Sequence, residues 1–286
     1  MRRIILSTES GADLPKEWVD KHAVQVVPMH IIMDEQDYLD GFLPVQDIYD
    51  YYDRTKKIPS TTATNPHEYH DFFSKIKDDY PDCIIIHIGY TSKASSSFQN
   101  AIIAAEAFTD LFLIDALNVS GGLAAIVMYA VTLLEKEPAI EPLRLIEKIE
   151  AMVPKSRMAF IPGSLEFLRA GGRVSNFAYL GGALLKIKPC IELMEGKLVS
   201  TKKYRGKMNA VAEKLMQDYL HQYSIDREQL YLLYSIGLDE SIKRRMDEMA
   251  KVAGFKNVKW IQAGAMISTH AGPGGFGIAG LELQER

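Results

Sequence analysis

Cys83-Ile84-Ile85-Ile86-His87-Ile88, with Thr91-Ser92-Lys93-Ala94-Ser95-Ser96-Ser97 just beyond it, is the stretch that decides the fold. The first run lacks the alternation of a half-exposed strand and reads as a strand covered on both faces, as inside a parallel sheet. The hydroxyl-rich segment after it leads into a helix. Similar short apolar runs recur at Arg3 to Leu6, Gln25 to Pro28 and Leu111 to Ile114. Helices separate them: Pro15 marks a first turn, Asn65-Pro66 with Glu68 forms a capping-box-like start, and a long apolar run follows Ser120. Strands alternating with helices imply βαβ units and a parallel sheet.

The pattern changes around Pro154. Pro189 to Leu193 and Lys197 to Lys202, joined by Met194-Glu195-Gly196, read as a hairpin, and a long helix follows from about Lys207 to Tyr223. Leu230 to Ile236 then Glu240 to Ala253, and Val258 to Ile261 then Ala265 to Thr269, return strands to a mixed sheet, with Ile267 to Thr269 strand-like. The expectation is a two-domain α/β fold: a parallel-sheet domain over 1–155 and a mixed-sheet α/β domain over 156–286.

Composition narrows the function. A chain of 286 residues, 47% hydrophobic and 24% charged, has the balance of a globular protein with material for a sizeable core. Its net charge of −4 provides no extended basic surface, so no nucleic-acid partner is expected. Cys83 and Cys190 lie far apart within apolar runs, a usage that suits a reducing cytoplasm. Met1-Arg2-Arg3 begins as a signal peptide would, but the apolar stretch after it ends at Ser7-Thr8-Glu9. Leu123 to Leu134 falls short of the roughly 20 residues a bilayer span requires. These features predict a cytoplasmic protein with at most transient membrane contact.

Several chemistries lack their residues. There is no G-x-x-x-x-G-K-[ST] phosphate cradle, no G-x-S-x-G nucleophile turn and no Asp cluster with magnesium-ligand spacing. His67 and His70 miss the H-E-x-x-H spacing and read as solvated helix residues, so no metal is expected. What remains is His270, in Ile267-Ser268-Thr269-His270-Ala271-Gly272-Pro273-Gly274-Gly275-Phe276-Gly277. The glycines beside it imply a close approach to the backbone. Gly272, Gly274 and Gly277 are spaced as a dinucleotide-binding turn, but that motif needs a following helix, and Ile278 to Arg286 leaves little room for one. Two hydroxyl clusters, Ser60-Thr61-Thr62-Ala63-Thr64 and Thr91 to Ser97, each precede a helix. Helix capping explains such clusters, and so does ligand binding at the carboxyl ends of parallel strands.

In this order the junctions resemble the DegV family. Pro59-Ser60-Thr61-Thr62 is similar to its P-T-T-S, and Ser92 through Ala101 to its S-x-L-S-G-T-Y-Q-S-A. Leu168-Arg169-Ala170-Gly171-Gly172-Arg173-Val174-Ser175 resembles L-x-x-G-G-R-[IV]-S, and Leu184-Leu185-Lys186-Ile187-Lys188-Pro189 resembles L-L-N-I-K-P. Thr269 to Gly274 closes the series, with Tyr38-Leu39-Asp40-Gly41 and Asp115 also in place. Glu9 departs from the usual Asp, Ser96 from a glycine, Lys186 from an asparagine and Ser268 from a glycine.

The resemblance implies a long-chain fatty acid in a buried tunnel, its carboxylate held between two α/β domains. It also implies a carrier without catalysis, cofactor or metal of its own. Such a carrier presents the carboxylate to a separate soluble ATP-dependent fatty acid kinase, which makes acyl phosphate for phospholipid synthesis. Carried over, Thr61 and Ser95 would donate hydroxyl bonds to the carboxylate, His270 would donate an imidazole N–H, and Arg205 would sit near the head group. Arg173 would fix the turn after a short helix or lie on the partner surface. An acyl chain of about 16 carbons supplies on the order of 10 kcal/mol of gross transfer free energy, so affinity would come from the tail. A carboxylate beside His270 would favour the imidazolium.

Two other readings use the same residues. An acyl-transfer or phosphotransfer enzyme would take His270 as general base for Thr61 or Ser95, and would need an acid to orient the ring, with Asp115 the candidate. A small-polyol kinase subunit would need a polar cavity in place of a tunnel.

Overall fold

The computed structural model describes residues 2–176 and 187–283. Residues 184–186 of the L-L-N-I-K-P-like segment, Lys186 included, lie outside the described residues. In the first part of the chain, β1 (Ile4–Glu9), α1 (Lys16–His22) and β2 (Gln25–Val27) are followed by β3 (His30–Met33) and β4 (Gln36–Leu39). Next come α2 (Val45–Thr55), β5 (Ser60–Thr62), α3 (Pro66–Asp79), β6 (Ile84–Gly89), α4 (Ser97–Ala105) and β7 (Leu111–Asp115). Helices α5 (Ser120–Lys136) and α6 (Pro142–Met152) lead to β8 (Ser156–Ile161) and α7 (Leu165–Gly171). The remainder comprises β9 (Lys188–Met194), β10 (Lys197–Tyr204), α8 (Met208–Gln222), β11 (Gln229–Tyr234), α9 (Glu240–Val252), β12 (Asn257–Gln262), α10 (Ala265–Ala271) and β13 (Phe276–Leu281).

Strands β2-β1-β6-β7 form an all-parallel sheet in that order, and every residue of β6 is buried. The Cys83 run therefore forms the covered strand its composition predicts. Helix α3 begins as expected: Asn65 Oδ1 accepts from the backbone N–H groups of His67 and Glu68, and Glu68 accepts in return from the Asn65 N–H at 2.7 Å. Helix α5 packs on β1 and β6 on one side and on β8, β11 and β13 on the other, so it is buried nearly all round. Among the described residues no helix is long and apolar enough to cross a membrane.

The second sheet runs β10-β9-β8-β13-β11-β12, antiparallel except for the parallel pair β11 and β12. Its hairpin turns on Glu195 and Gly196, both with positive φ (50° and 81°), the geometry that matches the twist of the flanking strands. A third small sheet, β4-β3-β5, is antiparallel and was not expected from the sequence. Its member β5 carries Thr61, so the first hydroxyl cluster is partly strand and not a cap alone. A second difference concerns Ala265 to Thr269, which is helix α10 and not strand. Met266 and His270 stand one turn apart on it, and the returning strand, β13, comes after the glycine turn. That a strand follows Gly277, and not a helix, disposes of the dinucleotide motif.

Candidate ligand site

Helix α10 has seven residues, too few to persist by propensity, and it is held at both ends. At its start Gly264 N–H donates to Asp13 Oδ1 (2.8 Å) and Met266 N–H to Asp40 Oδ1 (3.1 Å). At its end the Ala271 carbonyl accepts from Gly163 and Ser164 N–H groups, at 2.9 and 3.2 Å. The buried hydroxyls of Ser268 and Thr269 turn back to the carbonyls of Ala263 and Ala265. The glycine turn after the helix answers the close approach expected there. A Cβ on Gly163 would stand 1.8 Å from the Pro273 carbonyl oxygen, and Ser235 joins Gly272 O to Gly275 N–H through its hydroxyl. The neighbour that needs the space is the protein's own backbone.

His270 ends α10. Its Nε2 lies 2.8 Å from Thr61 Oγ1, while its Nδ1 is buried and has no partner among the described residues. Gly171 of α7 makes room for the ring, since a Cβ there would come within 2.3 Å of Nδ1. Desolvation, and next to it the positive charge of Arg173, push the imidazole down to about 4, so it is neutral at ordinary pH. The surface that His270 retains faces the cavity it lines. A neutral imidazole bonded to a hydroxyl leaves one donor unused in either tautomer. If Thr61 donates to Nε2, the Nδ1–H is free; if Nε2–H donates to Thr61, the threonine hydrogen is free.

The space between the cavity's walls, open solvent at the mouth included, is about 720 Å³. Its walls are largely apolar and include Met158, Leu168, Leu198, Leu233, Ile267 and Phe276, with Tyr90, Ser120, Tyr234, Ser235, Arg173 and His270 as polar residues. The walls come from α7, α10 and the mixed sheet, and from Tyr90 just after β6 and Ser120 at the start of α5. The cavity thus lies where the two sheets meet. A polar cavity, as a polyol would require, is not what these residues build.

The structure brings together Thr61 and His270 and sets Arg173 beside them. Arg173 does two things: it donates to Gly171 O at 2.7 Å, bracing the turn at Gly172 (φ 64°) after α7, and it lines the cavity from an exposed position. Ser95 stands apart. Its hydroxyl accepts from Ser97 N–H at 3.1 Å at the start of α4, and among the described residues no hydrogen bond joins it to Thr61 or His270. Arg205 is exposed just beyond β10 and is not among the residues that line the cavity. Asp115 accepts from Leu117 N–H at 2.9 Å and from Ser92 N–H, and among the described residues no carboxylate bonds the His270 ring. Glu9 is fully buried and accepts from Tyr69 (2.7 Å) and from Tyr90 N–H (2.8 Å), so it fixes the backbone of a cavity residue. Burial opposes its charge, but His87, Tyr69 and the Tyr90 N–H outweigh that and hold its carboxyl below the usual range. His67 and His70 lie on α3 beside Asp71.

Sequence reasoning passed over Tyr90, Ser120 and Ser235. Ser120 carried the only signal, as the residue that opens the α5 run, and it reads there as a helix start.

A family model described as an uncharacterised protein of the DegV family matches residues 3–282 of this chain. A fatty acid-binding protein from Thermotoga maritima is 25% identical over 291 residues, covering 98% of this chain and 99% of its own length. Among solved structures, one described as fatty acid binding of a DegV family protein from Thermus thermophilus superposes with a TM-score of 0.87 at 23% identity. That match covers 98% of this chain and 100% of the other. A fat acid (stearic acid)-binding protein from Eubacterium ventriosum gives 0.83 at 23% identity, covering 99% and 98%. These two likenesses show the shared fold.

Proposed function

The chain belongs to the DegV family, and from that premise we propose that it binds a long-chain fatty acid, tail in the apolar cavity and carboxylate at the Thr61–His270 pair. One observation carries the reading: a neutral, desolvated imidazole bonded to a hydroxyl always keeps one donor free, and that imidazole belongs to a residue lining an apolar cavity with a cation, Arg173, at its side. An anion with an apolar body is the ligand that satisfies all three. Burial of the tail supplies the free energy, and the head group is oriented by hydrogen bonds to a charged acceptor, each contributing about 1.5 to 3 kcal/mol. Ser95 and Arg205 join the head group only through some rearrangement of the ligand-bound state.

The protein is a carrier and not a hydrolase or kinase, a reading supported by the lack, among the described residues, of a carboxylate partner for His270. It acts in the cytoplasm and presents the carboxylate to a separate ATP-dependent fatty acid kinase for acyl-phosphate formation and phospholipid synthesis, with exposed Arg173 on the face offered to that partner. Both buried cysteines are free thiols, as a reducing compartment favours. The division into 1–155 and 156–286 is supported by the change of sheet at β8.

Native mass spectrometry of the purified protein, followed by solvent extraction, tests the reading. A co-purifying fatty acid, or stoichiometric uptake of added stearate, is expected. Incubation with ATP and fatty acid alone yields no acyl phosphate. An empty protein that takes up no fatty acid and turns over acyl esters would overturn it.

A further inference from the structure

Two carboxyl groups, Asp13 and Asp40, are buried at 7% and 3% exposure, and neither lines the cavity. Both meet the same place from different loops. Asp13 stands after the short turn that follows β1, and Asp40 directly follows β4. A Cβ built on Gly264 would lie 3.0 Å from Asp13 Oδ1 and 3.3 Å from Asp40 Oδ1, so the two groups close on one glycine at the entrance to α10. There they accept from the N–H groups of Gly264 and Met266, and the Ser120 hydroxyl, a cavity group, donates to Asp13 Oδ2. A helix that needs only a cap can use an exposed amide, as α3 does with Asn65. Burial drives both carboxyls above their usual range, with Asp40 adding to the effect on Asp13, which makes this a costly way to start a seven-residue helix.

We infer that Asp13 and Asp40 are positioning residues for His270: together they clamp the amino end of α10 to the loops of the first half and so set where its last turn holds the imidazole. Met266, bonded to Asp40, and His270 are separated by one helical turn, about 6 Å of rise, so a shift at one end is carried to the other. Through Ser120, Asp13 also ties the helix to the opposite wall of the cavity. The role in ligand binding rests on the fatty-acid reading above; the role in placing the ring does not.

Two readouts on the ligand-stripped protein separate these claims: the titration of His270 followed by NMR, and the binding of cis-parinaric acid, a fluorescent long-chain fatty acid. In Asp13→Ala and Asp40→Ala the ring gains water, and its titration moves up from about 4 toward the ordinary histidine range. Probe affinity then falls by about tenfold or more, one hydrogen bond to a charged group at the low end of its range. Asp13→Asn and Asp40→Asn restore both readouts, because the amide oxygen still accepts the helix N–H and at position 13 the amide nitrogen still faces Ser120. Gly264→Ala, which keeps both carboxyls but wedges them apart, reproduces the alanine effect and decides the matter if the other alanine variants do not fold. Parent-like titration in Gly264→Ala or in folded alanine variants overturns the clamp, as does failure of the asparagine variants to restore it. If His270→Gln binds the probe like the parent, the fatty-acid reading of the site fails, while a moved titration in the aspartate variants still supports the clamp.

Discussion

Acidifying the ligand-free protein destabilises it through His270, by an amount that the structure sets. An ordinary histidine takes its proton near pH 6.5, whereas desolvation and Arg173 hold this one neutral down to about 4. Below about pH 6.5 the unfolded chain therefore binds a proton that the folded protein refuses. The contribution is complete above that pH, is lost as pH falls from about 6.5 to about 4, and stays constant below. A gap of roughly 2.5 units at about 1.36 kcal/mol each makes the loss on the order of 3 kcal/mol by pH 4. Urea unfolding of the parent and of His270→Gln at several pH values measures it, because glutamine cannot titrate. The raised carboxyls of Asp13 and Asp40 and the lowered carboxyl of Glu9 also make stability depend on pH, but they are shared by both proteins and cancel in the comparison. The parent is expected to lose about 3 kcal/mol more than the variant. Parallel pH profiles would refute the buried, neutral imidazole, and with it the argument that the Thr61–His270 pair always keeps a free donor.

Three further outcomes follow from contacts. Gly171→Ala places a methyl group 2.3 Å from His270 Nδ1, so the ring must move, and fatty-acid affinity falls by about tenfold or more in a probe titration of a protein that still folds. Thr61→Val leaves Nε2 without its partner and lowers stability by about 1 to 3 kcal/mol in denaturant unfolding, together with a loss of ligand affinity. Asn65→Ala removes the two bonds that Asn65 Oδ1 accepts from the His67 and Glu68 N–H groups, lowers stability by about 1 kcal/mol and leaves ligand affinity unchanged, because Asn65 does not line the cavity.

Much of the fold was legible because it is written locally. The unbroken apolar run of β6 reports burial on both faces, Asn65 and Glu68 make a cap from neighbours in the chain, and Glu195-Gly196 can turn a hairpin by backbone conformation alone. The elements misjudged, β5 and α10, are short, with little periodicity to read, and partners far away in the chain hold them in place. Strand β5 exists by pairing with β3, and α10 exists because Asp13, Asp40 and the Gly163–Ser164 loop satisfy its ends. The site divides in the same way. By itself the sequence determined that hydroxyls, an arginine and one histidine among glycines stand at the junctions of an α/β chain, since residue identity and local spacing suffice for that. Tertiary structure alone decided that Thr61 meets His270 across 209 positions, that Arg173 reaches the cavity while Arg205 stays outside it, and that the imidazole is neutral. Contact, desolvation and charge are properties of distance in space, and distance in space is set only when the sheets pack.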